Sequence, residues 1–327
     1  MLLRRFGKEL IFMAFLNISR ISFNYGEQRI IRNLSLSLER GKRLGVVGSS
    51  GSGKTTLMRI LAGELRPAEG GISLDGVPFA DQLNDRVPGH PSVSLMAQDF
   101  NLDPNLSVDD NIIRNGRHLS TTNLKRYLGK VHRAFQLGAI KSQKVRTLSG
   151  GQKQRAALAA ALLSSNELLL LDEPFSQMDY ALKQNILQFL EEEPNLKTVI
   201  MVGHEPTDLM RYCDQIAVLE KGRVLQLAPV EQIYHFPKNE RVAALTGMYN
   251  KLDQQAQELT GIFEALFRPL HCRLEEGGDW TLEKIEYHAF GQIGTLVHSA
   301  GISVKAQIPL EGHYQIGSLW RLRIKKP

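Results

Sequence analysis

Gly48-Ser49-Ser50-Gly51-Ser52-Gly53-Lys54-Thr55 is the stretch from which the rest of the chain can be read. Residues 43–47 before it are apolar-leaning and strand-like. Residues 55–62 after it have helical character and stop at Gly63, a residue suited to a left-handed helix end. A glycine-rich turn from strand to helix lets the backbone wrap an anion with its N–H groups pointing inward. The helix presents its positive end to the same charge. Lys54 can neutralise the outer phosphates of a nucleotide, and Thr55, followed by Thr56, can offer a hydroxyl to Mg2+. A glycine-rich turn that binds nothing has no need of this Lys and Thr in register with strand and helix.

Outward from that loop, strands and helices alternate. Residues 16–80 are strand-rich with Gly and Asn punctuation. Residues 101–146 are polar and broken by Pro104 and Gly116, which predicts a helical insertion. Residues 151–164 are rich in Ala and Leu and read as a helix. Residues 167–171 are almost continuously apolar, as in a strand buried on both faces, and residues 198–202 repeat the theme. This alternation predicts an α/β fold with a mainly parallel sheet. The character changes near Lys238. After an amphipathic helical stretch over 240–267, Ile302, Val304, Ala306 and Ile308 alternate with polar neighbours, as do Trp320, Leu322 and Ile324. Period-two patterning between glycine turns predicts a small antiparallel β-domain. The expected division is an N-terminal extension over 1–15, a nucleotide-binding domain over 16–237 with its insertion at about 100–150, and a β-domain with a linker helix over 238–327.

Bulk properties narrow the class. The 327 residues carry 43% hydrophobic and 23% charged side chains, ordinary for a globular chain with room for two domains. No run reaches the roughly 18–20 apolar residues of a membrane span. Residues 1–16 mix Arg4, Arg5, Lys8 and Glu9 with short apolar patches, unlike a signal peptide, and Met13 is an alternative start. Cys213 and Cys272 stand far apart, which fits a reducing compartment. The net charge of +6 is scattered rather than gathered in a basic arm, so a nucleic-acid partner is not expected.

Leu168-Leu169-Leu170-Leu171-Asp172-Glu173-Pro174 sets two carboxylates at the carboxyl end of a buried strand, where open α/β sheets gather ligands. Solvated carboxylates commonly end strands, but beside a phosphate loop the chemical reading prevails. Asp172 would hold Mg2+ through its water shell, and Glu173 would act as general base on the attacking water. Leu148-Ser149-Gly150-Gly151-Gln152 is the most discriminating stretch. Ser149 can cap the helix that follows, and the two glycines let an anion approach its exposed N–H groups. One nucleotide rarely needs two such helix ends in one fold.

With these motifs in order, the chain resembles the nucleotide-binding subunit of ABC transporters, specifically over residues 16–237. The resemblance implies a P-loop NTPase cassette that binds ATP and Mg2+. It also implies a homodimer in which the signature, Ser149 to Gln152, faces the γ-phosphate held by the opposite subunit. It further implies roles for single residues: Tyr25 stacking on adenine, Gln98 sensing Mg2+ and water, Asp179 communicating across the dimer and His204 contacting the γ-phosphate. The tail, with Phe267-Arg268-Pro269, resembles the OB-like (TOBE) domain of bacterial uptake ATPases. Leu270 stands where that family often has glutamate, and Ser176-Gln177-Met178 replaces the commoner Ser-Ala-Leu. The first departure weakens a reading of the tail as a ligand sensor, and its alternating residues equally suit a dimerisation or stability module.

The implied function is ATP hydrolysis powering uptake of an ion or small solute. Separate transmembrane permease subunits would take part, with a solute-binding protein in the same system. The subunit would sit peripherally on the cytoplasmic face of the inner membrane, and residues 99–111 are the expected docking segment. Export, or a non-transport role in repair or translation, are the alternatives. No residue reads the cargo.

Overall fold

The computed structural model describes residues 14–83, 89–97, 100–192, 197–288, 291–310 and 314–325. Contacts divide the chain into two units, Met1–Val230 and Glu231–Pro327. The expected domain boundary at 237/238 lies a few residues beyond this division.

In the first unit, β1 (Leu16–Tyr25) and β2 (Gln28–Leu38) pair antiparallel about a turn at Gly26, whose φ of +56° suits a residue without a side chain. β3 (Arg43–Val47) leaves for a second sheet, while β4 (Glu69–Leu74) and β5 (Val77–Pro78) complete the first in the order β2-β1-β4-β5. The second sheet adds β6 (Val93–Met96), β7 (Leu168–Asp172), β8 (Thr198–Val202), β9 (Gln215–Glu220) and β10 (Arg223–Pro229), in the order β10-β9-β3-β8-β7-β6. Its ladders from β6 through β9 are parallel, and β10 is an antiparallel edge. Every residue of β7 and β8 is buried, as their apolar runs require of central strands. Parallel register brings the carboxyl ends of β3, β7 and β8 to one edge of the sheet, and the chemistry-bearing residues follow those ends.

Helices stand after the glycine loop, in the insertion and over the Ala- and Leu-rich stretch, as expected. α1 (Lys54–Leu61) follows the glycine loop and stops at Gly63, φ +79°. A single turn, α2 (Phe79–Gln82), precedes β6. The insertion contains α3 (Val108–Asn115) and α4 (Thr121–Ala134). Ser107 and Asp110 form a reciprocal capping box at the start of α3. α5 (Gly150–Leu162), α6 (Tyr180–Glu192) and α7 (Pro206–Tyr212) alternate with the parallel strands. Among the described residues no helix is long and apolar enough to cross a membrane.

α8 (Val230–His235) starts at the last residue of the first unit and runs into the second. The helical stretch expected over 240–267 is broken into α9 (Glu240–Thr246) and α10 (Gln254–Thr260). Gly247 at φ 142° and ψ −177° cannot continue the first, and Gly261 in the left-handed region ends the second. Between and after them β11 (Asn250–Lys251) pairs with β12 (Leu266–Phe267). β13 (Cys272–His288), β14 (Gly291–His298), β15 (Ser303–Ile308) and β16 (Leu319–Ile324) then form an antiparallel sheet in the order β15-β14-β13-β16. Val304, Ala306 and Ile308 turn inward with Trp320 and Leu322, as their alternation predicts.

Arg268 is 1% exposed and anchors this unit. Its guanidinium donates to the carbonyls of Tyr234, Ala243, Gly247 and Met248 at 2.8–3.0 Å and to the Thr246 hydroxyl at 2.8 Å. It also lies 4.7 Å from the centre of the Tyr234 ring. Ala243 lies in the last turn of α9 and Gly247 and Met248 directly follow it, so one side chain holds the end of the helix and the turn after it.

Candidate active site

The glycine loop is shaped by close approach. A Cβ at Gly48 would stand 2.3 Å from the Leu219 carbonyl oxygen, so nothing larger fits there. Gly53 caps α1 from the left-handed region at φ +104°. The Gly222 N–H donates to the Ser52 carbonyl at 2.9 Å, and the Ser49 hydroxyl to Glu220 at 2.9 Å, which tie the loop to the β9–β10 turn. Lys54 is 7% exposed and donates from Nζ to the carbonyls of Gly48 and Ser49 at 2.8 and 3.0 Å. Burial lowers its pKa, while the charges of Glu173, Asp172 and Glu220 act the other way. Ser52 Oγ is buried with no hydrogen-bond partner, a rare state for a hydroxyl and a natural one in a cradle for an anion. Thr56 is buried, and Thr55, though exposed, reaches Asp172 with its hydroxyl.

Opposite stands the end of β7. Asp172 is 5% exposed, and burial followed by the Glu173 charge pushes its carboxyl up to about 6. Lys54, His204 and a hydrogen bond from the Thr55 hydroxyl pull the other way. Asp172 Oδ1 is buried without a hydrogen-bond partner. Glu173 takes a left-handed backbone at φ +53°, a conformation costing a non-glycine residue about 1–3 kcal/mol. Its N–H donates to the Val202 carbonyl at 2.9 Å at the end of β8. Its carboxylate meets His204 Nε2 at 2.5 Å. A carboxylate so held beside an imidazole can take a proton from a water and share it. A cavity of about 250 Å³ lies against this pair, with Lys183 and Asp208 also on its wall.

The remaining expected positions fall around this centre. Tyr25 ends β1, is 44% exposed, packs edge-on to Phe23 with ring centres 4.9 Å apart, and accepts from Arg59 at 3.3 Å. Ser149 caps α5 and exchanges bonds with Gln152: the Ser149 N–H donates to Gln152 Oε1 at 2.9 Å, and the Gln152 N–H to Ser149 Oγ at 3.4 Å. Gly150 and Gly151 lie against Gln177, whose Oε1 would be 2.5 Å from a Cβ on Gly150. Asp179 accepts from the Leu182 N–H at 2.8 Å at the start of α6. Gln98 lies outside the described residues. Lys54, Thr55, Asp172, Glu173 and His204 thus gather in one place, while the neighbours of Ser149 to Gln152 are the segment leading to Asp179.

The family model of ABC transporters matches residues 31–176. The glucose import ATP-binding protein GlcV of Saccharolobus solfataricus is 33% identical over 242 residues, covering 72% of this chain and 68% of that protein. The spermidine/putrescine import ATP-binding protein PotA of Bacillus cereus is 34% identical over 239 residues, covering 72% of each. The chain belongs to the ATP-binding proteins of ABC transporters. Among solved structures, a dimeric ATP-binding cassette in a post-hydrolysis state with ADP and Pi matches at 26% identity and a TM-score of 0.56. That match covers 66% of this chain and 98% of that one.

As an ABC cassette the chain binds and hydrolyses ATP. One residue bonded to this cluster escapes sequence reading. Gln154, 2% exposed within α5, donates to the Glu173 carbonyl at 2.8 Å and to Ser176 Oγ at 2.9 Å, and accepts from the Gln177 N–H at 3.0 Å. A polar residue in an Ala- and Leu-rich helix reads as surface. Its only signal is its position two residues after the signature, on the face that the alanines bury.

Proposed function

We propose that this chain is the energy-supplying subunit of a bacterial uptake system, working as a pair that closes on two ATP molecules. Phosphates would lie in the loop over 48–55, held by backbone N–H groups, Ser52 and Lys54. Tyr25 would stack on adenine. Glu173 would take the proton of a water attacking the γ-phosphorus, as the bond to the ADP oxygen breaks. His204 would hold the γ-phosphate and orient Glu173. Ser149 to Gln152 would complete the partner's site, and Asp179 would communicate between the two sites across the dimer.

The donors fit Mg2+, with Gln98 expected to join them: Asp172 offers a buried oxygen without a partner, and the Thr55 hydroxyl is bonded to the same carboxylate. Bound there with the substrate phosphates, the ion would neutralise charge developing on the transferred group.

Import is supported by what the named relatives do, namely glucose and spermidine/putrescine import. Permease subunits would be separate chains, met by residues 99–111, so the subunit would lie at the cytoplasmic face of the membrane. A solute-binding protein would deliver the cargo. The described part of that docking segment is built firmly: Asn111 accepts from the Asp103 N–H at 2.8 Å and donates to the carbonyls of Asp103 and Ser107.

The observation that carries the reading is the 2.5 Å Glu173–His204 pair on a strained backbone at the end of β7. Glu173→Gln keeps the shape and removes the base. Turnover should fall by roughly 100- to 10,000-fold while ATP binding persists. Hydrolysis at the wild-type rate in that variant would remove Glu173 from the chemistry.

A further inference from the structure

We infer that Gln154 is a positioning residue that makes the signature and the hydrolytic carboxylate of one chain a single mechanical block. The inference rests on the reading of Glu173 and the signature given above. α5 begins with the signature, which serves one ATP site, while Glu173 ends β7 and serves the other. Gln154 is the covalently short link between them, two residues after Gln152 and bonded to the Glu173 carbonyl.

The bonding leaves it no freedom. Both amide hydrogens are used, one on the Glu173 carbonyl and one on Ser176 Oγ, and the amide oxygen takes the Gln177 N–H. A backbone acceptor on one side and a backbone donor on the other fix which end of the amide points where. Ser176 adds a third strut, donating from its hydroxyl to the Glu173 carbonyl at 3.2 Å. Glu173 is therefore pinned on both sides of its left-handed residue, by Val202 through its N–H and by Gln154 through its carbonyl. Without that hold, the backbone can relax toward the ordinary region and swing the carboxylate off His204.

Gln177 carries the link back to the signature. Its N–H is held by Gln154, and its side chain lies over Gly150 and Gly151, the surface offered to the partner's nucleotide. Displacing those glycines by docking on a γ-phosphate must displace Gln177 and, through Gln154, Glu173. Closure at one site is thus felt by the carboxylate of the other.

The test uses the full chain with Gln154→Met, which keeps the length of the side chain and removes all three bonds. Since a misplacement of about 1 Å can cost about 100-fold in rate, kcat for ATP hydrolysis should fall at least about tenfold. KM for ATP and the affinity for a fluorescent ATP analogue should stay within about threefold of wild type, because Gln154 does not touch the phosphate loop. Folded Gln154→Met with wild-type kcat overturns the inference, as does a loss of rate that merely follows a loss of folded protein on a thermal scan. If Gln154→Met does not fold, Ser176→Ala removes one strut at the exposed end. It should lower kcat by about two- to fivefold at unchanged KM, and no change would overturn the inference. Wild type and Glu173→Gln run alongside. A wild-type rate in Glu173→Gln takes down the general-base reading and this inference with it, whereas an inactive Glu173→Gln beside a normal Gln154→Met takes down the inference alone.

Discussion

Lys54 and Arg268 are both cations sunk among backbone carbonyls, one in each unit, yet they are held in different ways. Arg268 spends its fork on four carbonyls and a hydroxyl, all within its own unit, and lies over the Tyr234 ring. Lys54 has two carbonyls of its own loop and the charges of Glu173, Asp172 and Glu220 around it, and its burial works against its charge. The carbonyl bonds of Lys54 are ones that a phosphate can replace, while those of Arg268 have no competitor. A buried cation held by many fixed carbonyls of its own unit marks architecture. One with exchangeable partners beside orphaned polar atoms marks a site.

Removing each cation should separate the two cases. Arg268→Met leaves several buried carbonyls without donors, so unfolding by denaturant should lose on the order of 3–5 kcal/mol. Arg268→Lys should recover only part of that, because an ammonium cannot span the fork. Lys54→Ala should weaken ATP binding by about 10- to 100-fold in a nucleotide titration, the worth of a charge-assisted bond. Its thermal stability without nucleotide should match wild type. A large loss of apo stability there would put Lys54 in the same class as Arg268.

Lys197 provides an intermediate case. Its Nζ bonds Ser164 at the carbonyl and at Oγ, and burial lowers its pKa from 10.5 to about 8. Between those two values the unfolded chain keeps a proton that the folded chain has shed, so unfolding takes up a proton there. Stability should therefore rise with pH across that window. Lys197→Met should flatten the rise in a pH series of denaturant unfolding. An unchanged slope would mean that Lys197 is not its source.

Much of the fold was readable because the signals were local and physical. The loop over 48–55, the apolar runs of β7 and β8, and the alternation in β15 and β16 each state their own structure. The split of the helical stretch over 240–267 was harder to read. Its polar and apolar residues keep a helical rhythm, and only Gly247 and Gly261 interrupt it. Arg268 and Gln154 were illegible for a shared reason. Their partners are mainly backbone groups about 20 or more residues away, and backbone acceptors leave no trace in side-chain pattern. Gln177 stood out as a departure from the family, but its contact with Gly150 and Gly151 exists only in the folded chain.

The most direct test of the account is nucleotide-driven association of Glu173→Gln, followed by sedimentation. If Lys54 and Glu173 belong to one site and Ser149 to Gln152 to its partner's, the variant should shift from monomer to dimer at saturating Mg-ATP and stay closed, since turnover is blocked. A monomer that binds ATP tightly but never pairs would contradict the division of each site between two chains.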